Sequence, residues 1–168
     1  MLVPLVLLTA LLAFRGLGAL GVRRFRTWRV SAAHGLAVML VLTASAHFVP
    51  PSVTVMPNSA DMVGMVPPQI PFPELVVYGT GVLELAGAAG LVLPATRRVA
   101  GWCVAALFVL MFPANVYAAL NGVPFAGGEP TPLAVRLPEQ LLYIGVAVWA
   151  AWPSREGRIA EPRPAAVA

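Results

Sequence analysis

The chain has 168 residues, of which 59% are hydrophobic and 11% charged, and its mean hydropathy is +0.82. Counting glycine as apolar and leaving out tyrosine raises the apolar share to about two-thirds, against roughly 45–50% for soluble domains, which at this size keep much of their surface in water. The composition therefore excludes a water-soluble enzyme, a disordered protein and a nucleic-acid binder, and specifies a membrane protein whose net charge of +4 comes from 11 arginines, no lysine and 7 carboxylates.

Five apolar stretches approach the ~20 residues of a spanning helix: Leu2–Val22, Trp28–Val49, Glu74–Leu93, Arg98–Leu120 and Leu137–Trp152. None alternates with period two, which excludes a β-barrel, so the fold class is all-α. The first stretch is interrupted by Arg15. Its positive charge follows the apolar core instead of preceding it, unlike a cleaved signal peptide. Arg23, Arg24, Arg26 and Arg29 fill the connection to the second stretch.

The second stretch carries His34 and His47, about 20 Å apart along a helix. That separation is too great for one haem or one metal, and neither is predicted. His34 is expected to hydrogen-bond inside the bundle. His47 is placed at the outer end, before a loop spanning Pro50–Pro73 that holds seven prolines and no basic residue. So much proline forbids an ordinary helix and predicts an ordered but irregular segment lying over the bundle mouth. Met56, Met62 and Met65 beside Asp61 read as gap-fillers, since their irregular spacing does not describe a Cu(I) site.

Glu84 is the sharpest feature of the third stretch. It lies about 15 Å from the outer end, near the midplane, where an ionised carboxylate needs a partner. Thr80, Glu84, Gly87 and Leu91 share one helical face, and Ala86-x-x-x-Gly90 permits close helix contact. Two readings compete for Glu84. It is a proton donor or ligand partner, or it is buried against Arg15. Arg15 also has the option of snorkelling to the interface.

In the fourth stretch Phe112-Pro113-Ala114-Asn115 removes the donor to the Val109 carbonyl and predicts a kink. Asn115 either patches it or lines a cleft. The fifth opens with Arg136-Leu137-Pro138-Glu139-Gln140. Here proline suits the first turn and Glu139 complements the helix dipole. Arg136 is expected to pair with Glu139, Glu129 or Glu74. His47, Tyr78, Glu84, Asn115 and Gln140 are thus the candidate ligand-binding residues of an outer cleft, with Glu84 the candidate catalytic group. Arg15, Pro113, Arg136 and Glu139 are assigned structural roles.

Orientation follows from the arginines. Arg97 and Arg98, with Arg155, Arg158 and Arg163, fall on the side of the first connection, and only Arg136 lies opposite. The positive-inside rule predicts an outside N-terminus and a cytoplasmic C-terminus. Trp28, Trp102, Trp149 and Trp152 cluster near the same interface. Residues 154–168 are polar and expected to form a disordered cytoplasmic tail. The single cysteine, Cys103, excludes an internal disulfide, a CxxC pair and a thiolate zinc site.

Several segments recur together in a recognisable order. They are Ser45-Ala46-His47-Phe48, Met65-Val66-Pro67-Pro68, Gly81-Val82-Leu83-Glu84, Gly90-Leu91-Val92-Leu93-Pro94, Arg97-Arg98, Phe112-Pro113-Ala114-Asn115 and Arg136-Leu137-Pro138-Glu139-Gln140. Over about residues 30–153 the chain resembles the DoxX-like family of small bacterial membrane proteins. The resemblance implies a four-helix transmembrane core in the bacterial cytoplasmic membrane, with residues 1–22 an additional N-terminal span. That family is named for its likeness to the DoxD subunit of a thiosulfate:quinone oxidoreductase, and it brings no catalytic residues to carry over. The function it implies is an accessory subunit that binds a quinone or other lipophile and supports a soluble or membrane oxidoreductase. The alternatives are a self-contained enzyme using Glu84 as general acid on an isoprenoid-like substrate, and a non-enzymatic scaffold.

Overall fold

The computed structural model describes residues 2–152. The tail predicted over 154–168, with Arg155, Arg158 and Arg163, lies outside the described residues. Among the described residues the protein is helical and holds no strand, apart from one isolated bridge between Phe125 and Gly128. The helices are α1 (Leu2–Ala19), α2 (Trp28–Phe48), α3 (Ser59–Gly64), α4 (Pro73–Val92), α5 (Arg97–Leu120) and α6 (Leu133–Ala151), with a 3-10 turn at Arg23–Phe25. All except α3 are long and apolar enough to cross a membrane.

Two boundaries differ from the sequence reading. The Pro50–Pro73 loop contains α3, because residues 58–66 are free of proline. Asn58 starts that helix by accepting from the Ala60 and Asp61 amides, while Asp61 accepts from the Asn58 amide, a reciprocal capping box. The last helix begins at Leu133, not Leu137. The Pro132 carbonyl accepts from the Val135 and Arg136 amides and so nucleates the helix one turn earlier. Pro138 then falls in the second turn, where it removes one backbone bond, and Glu139 lies outside the first turn.

Packing is organised around α2, the most buried helix. It touches α1, α4 and α6; α4 also touches α5, and α5 touches α6. Helices α2, α4, α5 and α6 therefore close a ring, with α1 laid against α2 from outside. Leu36, Leu40, Leu91, Val104, Phe108 and Ala147 fill the ring. Glycine permits the closest crossings. A β-carbon at Gly35 would lie 2.8 Å from the Leu11 amide nitrogen, one at Gly90 would lie 2.7 Å from the Ala100 methyl, and one at Gly101 would lie 2.8 Å from the Ala147 carbonyl oxygen. Between α4 and α5 the close pair is Gly87 and Gly90, since Ala86 is exposed.

Arginines tie down one end of this bundle. Arg24 donates to the Val92 carbonyl at 2.8 Å, Arg97 donates to the Leu91 carbonyl at 2.9 Å, and Arg29 donates to the Trp152 carbonyl at 2.8 Å. These are the last two carbonyls of α4 and the carbonyl of the residue capping α6, at helix ends that lack helical partners and carry the negative end of the dipole. The proline-rich loop lies at the other end.

Candidate functional site

Helices α2 and α4 run antiparallel, and side chains lean toward the N-terminus of their own helix. His47, in the last turn of α2, and Glu84, midway along α4, therefore lean toward each other. The His47 Nδ1–H donates to the Val77 carbonyl at 2.7 Å. A carbonyl only accepts, so this bond fixes the tautomer and turns Nε2 toward Glu84 Oε1, 3.8 Å away. That separation exceeds a hydrogen bond and lies within ion-pair range. The other carboxyl oxygen, Oε2, meets the Thr43 hydroxyl at 2.6 Å. Glu84 and His47 are 2% and 4% exposed.

The backbone makes room for this pair. A β-carbon at Gly81 would lie 2.7 Å from His47 Cβ and 3.0 Å from its Cγ, so the imidazole rests on bare α4 backbone. Thr80 bonds back to the Val76 and Val77 carbonyls at 2.9 Å, with its hydroxyl 3.4 Å from His47 Nδ1. The arrangement is a carboxyl and an imidazole held face to face in an apolar interior. It can pass a proton or hydrogen-bond an oxygen-bearing ligand.

A second polar group lies between α5 and α6. Gln140 donates to the Phe108 carbonyl. Arg136 pairs with Glu139 at 3.9 Å, which selects one of its three expected partners, and its guanidinium sits 6.0 Å from the Phe125 ring centroid. Glu139 Oε1 and the Tyr143 hydroxyl are buried without hydrogen-bond partners. Tyr143, 7% exposed, packs its ring 5.9 Å from that of Phe108.

The predicted cleft is thus divided. His47 and Glu84 come together on α2 and α4, whereas Gln140 belongs to the α5–α6 group. Tyr78 is 45% exposed and stacks on Phe48, one position round α4 from the Val77 face. Asn115 bonds back to the Met111 carbonyl of its own helix at 3.4 Å, and α5 is continuous through the exposed Pro113. The Arg15–Glu84 pair is not made. Arg15 lies 5.2 Å over the Trp28 ring, because α1 packs on the outside of α2 while Glu84 faces the α2–α4 seam. His34 donates from Nδ1 to the Val30 carbonyl at 2.8 Å and accepts from Arg24 at 3.2 Å, with Phe14 and Phe25 edge-on. No three His, Cys, Asp or Glu side chains among the described residues converge on a metal position.

Thr43, Gly81 and Tyr143 were not assigned roles from sequence. Spacing offers a signal for Thr43 and Tyr143 and none for Gly81. Thr43 stands four residues before His47, and Tyr143 four after Glu139, so each shares a helical face with a polar residue already singled out.

Residues 36–151 match the family described as Domain of unknown function (DUF8561). The match runs from within α2 through the end of α6 and leaves α1 outside. No curated protein and no solved structure matches the chain.

Proposed function

The chain belongs to the DUF8561 family, and we propose that it is a multi-pass subunit of the bacterial cytoplasmic membrane that binds a quinone-like lipophile and supports a redox process carried by a partner oxidoreductase. The observation that carries this reading is that His47 Nε2 and Glu84 Oε1 face each other, both buried and 3.8 Å apart. A quinone oxygen takes up a proton on reduction and releases one on oxidation, and an apolar site needs a resident group for that proton. The Glu84 carboxyl and the His47 imidazole are such groups. Val77 and Thr43 orient them. The electron chemistry belongs to the quinone and the partner. The chain binds, orients and exchanges the proton.

The ring of α2, α4, α5 and α6 with α1 outside it accords with a DoxX-like core plus an extra N-terminal span. In this reading the arginine-rich end is cytoplasmic and the proline-rich loop faces out. The His47–Glu84 pairing also favours a second reading, a self-contained enzyme acting on an apolar substrate. Glu84 alone makes a poor site, and His47 supplies the second titratable group that acid–base catalysis uses.

The test is quinone binding by the full chain in lipid nanodiscs. Glu84→Gln keeps the shape and removes the proton-exchanging group, so its affinity should fall about tenfold, as for a hydrogen bond to an ionisable group. Binding equal to wild type overturns the assignment. Turnover of an isoprenoid by the purified chain, lost in Glu84→Gln, would establish the enzyme reading instead.

A further inference from the structure

A groove of about 560 Å³ runs between α4 and α5 toward the arginine-rich end, lined by residues that include Leu83, Gly87, Leu93, Thr96, Val99 and Cys103. It exists because Gly87 and Gly90 bring the two helices close, while longer side chains on either side form walls. Its lining is almost wholly apolar, and Val99 and Cys103 on its flank are exposed. One end of the groove is the short connection at Leu93 to Thr96.

Two cations stand beside that end. Arg24 and Arg97 both donate through Nη2 to the Val92 carbonyl, at 2.8 and 3.3 Å, so their guanidinium groups are neighbours. Among the described residues neither Nη1 makes a hydrogen bond, and neither arginine has a carboxylate partner. Arg23, Arg26, Arg29 and Arg98 add charge at the same end. The described carboxylates are elsewhere. Asp61, Glu74, Glu129 and Glu139 belong to the opposite end, and Glu84 is closed into the α2–α4 seam.

We infer that this groove seats an acyl chain of an anionic phospholipid whose phosphate is held by Arg24 and Arg97. Charge complementarity selects the headgroup, since clustered guanidinium groups at a membrane interface recognise phosphate. The apolar groove selects a lipid over a free anion, because Leu93 and Thr96 are the chain neighbours of Val92 and Arg97. In this proposal one phospholipid occupies both, its chain in the groove and its phosphate at the arginines. The site is distinct from the His47–Glu84 pair and does not depend on the role given to that pair.

The experiment is native mass spectrometry of the full chain in detergent, titrated with phosphatidylglycerol and phosphatidylcholine of identical acyl chains. Phosphatidylglycerol should bind about tenfold more tightly, given the contribution of each basic residue near an anionic headgroup. Arg24→Gln, a change in an exposed turn, should remove most of that preference and leave phosphatidylcholine unaffected. Val99→Trp should fill the groove and weaken both lipids. Cys103 gives an independent readout, because a bound chain should slow its alkylation by N-ethylmaleimide in wild type. Equal affinity for the two lipids, an unchanged preference in Arg24→Gln, or alkylation indifferent to phosphatidylglycerol would each overturn the proposal. Displacement of phosphatidylglycerol by equimolar inorganic phosphate would also do so, by assigning the arginines to a free anion.

Discussion

Glu84 and His47 meet because three neighbours allow it: Val77 aims the imidazole, Thr43 holds the carboxyl, and Gly81 stays out of the way. The glycine is the most demanding of the three. At Gly81→Ala the new methyl meets the His47 Cβ, and that atom sits on the α2 backbone with little freedom to move. Overpacking of this kind costs about 1–3 kcal/mol. The variant should unfold several degrees lower in detergent, read by thermal melting, and an unshifted melt would show that α4 is not pressed against His47. The sequence made Glu84 and His47 conspicuous for one physical reason: polar groups are expensive in apolar runs. Thr43 is marked only by its four-residue spacing from His47, because a threonine bonds to its own helix at little cost, as Thr43 also does with the Leu40 carbonyl. Its second partner emerges only once the register of α2 against α4 is set.

Among the helices, length and hydropathy identified the five long ones, and errors gathered where proline had to be weighed. Proline clusters forbid helix locally, yet the proline-free window 58–66 between two of them is enough for the six residues of α3 when Asn58 and Asp61 cap it. Pro138 suits a first turn but is tolerated in a second when Pro132 nucleates upstream. The partner of Arg15 was illegible for another reason. Depth along α1 is readable from residue count, but the side of α2 that receives α1 is set by Gly35, which presents bare backbone to Leu11. That contact is backbone against backbone and cannot yield. In Gly35→Val, α1 should lose its seat while the ring of α2, α4, α5 and α6 keeps its own contacts. Limited proteolysis should then cut the exposed turn near Arg23 faster than in wild type, with the fragment beginning at α2 remaining intact. Unchanged cleavage would mean that α1 is held by other contacts.

Across the whole molecule, charge is separated by end. The described arginines from Arg23 to Arg29, with Arg97 and Arg98, gather where α4 and α6 terminate, and several are committed to carbonyls at those helix ends. Inverting the protein in the membrane would carry this whole set across, together with the helix ends it caps. Among the described arginines only Arg136, already paired with Glu139, would travel the other way. The same segregation that predicts orientation through the positive-inside rule is thus built into how the bundle is closed, so orientation and stability draw on the same residues. Single cysteines on a Cys103→Ser background test the orientation directly. A cysteine at exposed Ser52, in the proline-rich loop, should react with a membrane-impermeant maleimide in intact cells. A cysteine at exposed Ala95, in the connection between α4 and α5, should react only after the cells are opened. The reverse pattern would place the arginines outside. It would also move the end proposed to hold a lipid phosphate to the outer leaflet and turn the end of the bundle nearer His47 and Glu84 toward the cytoplasm.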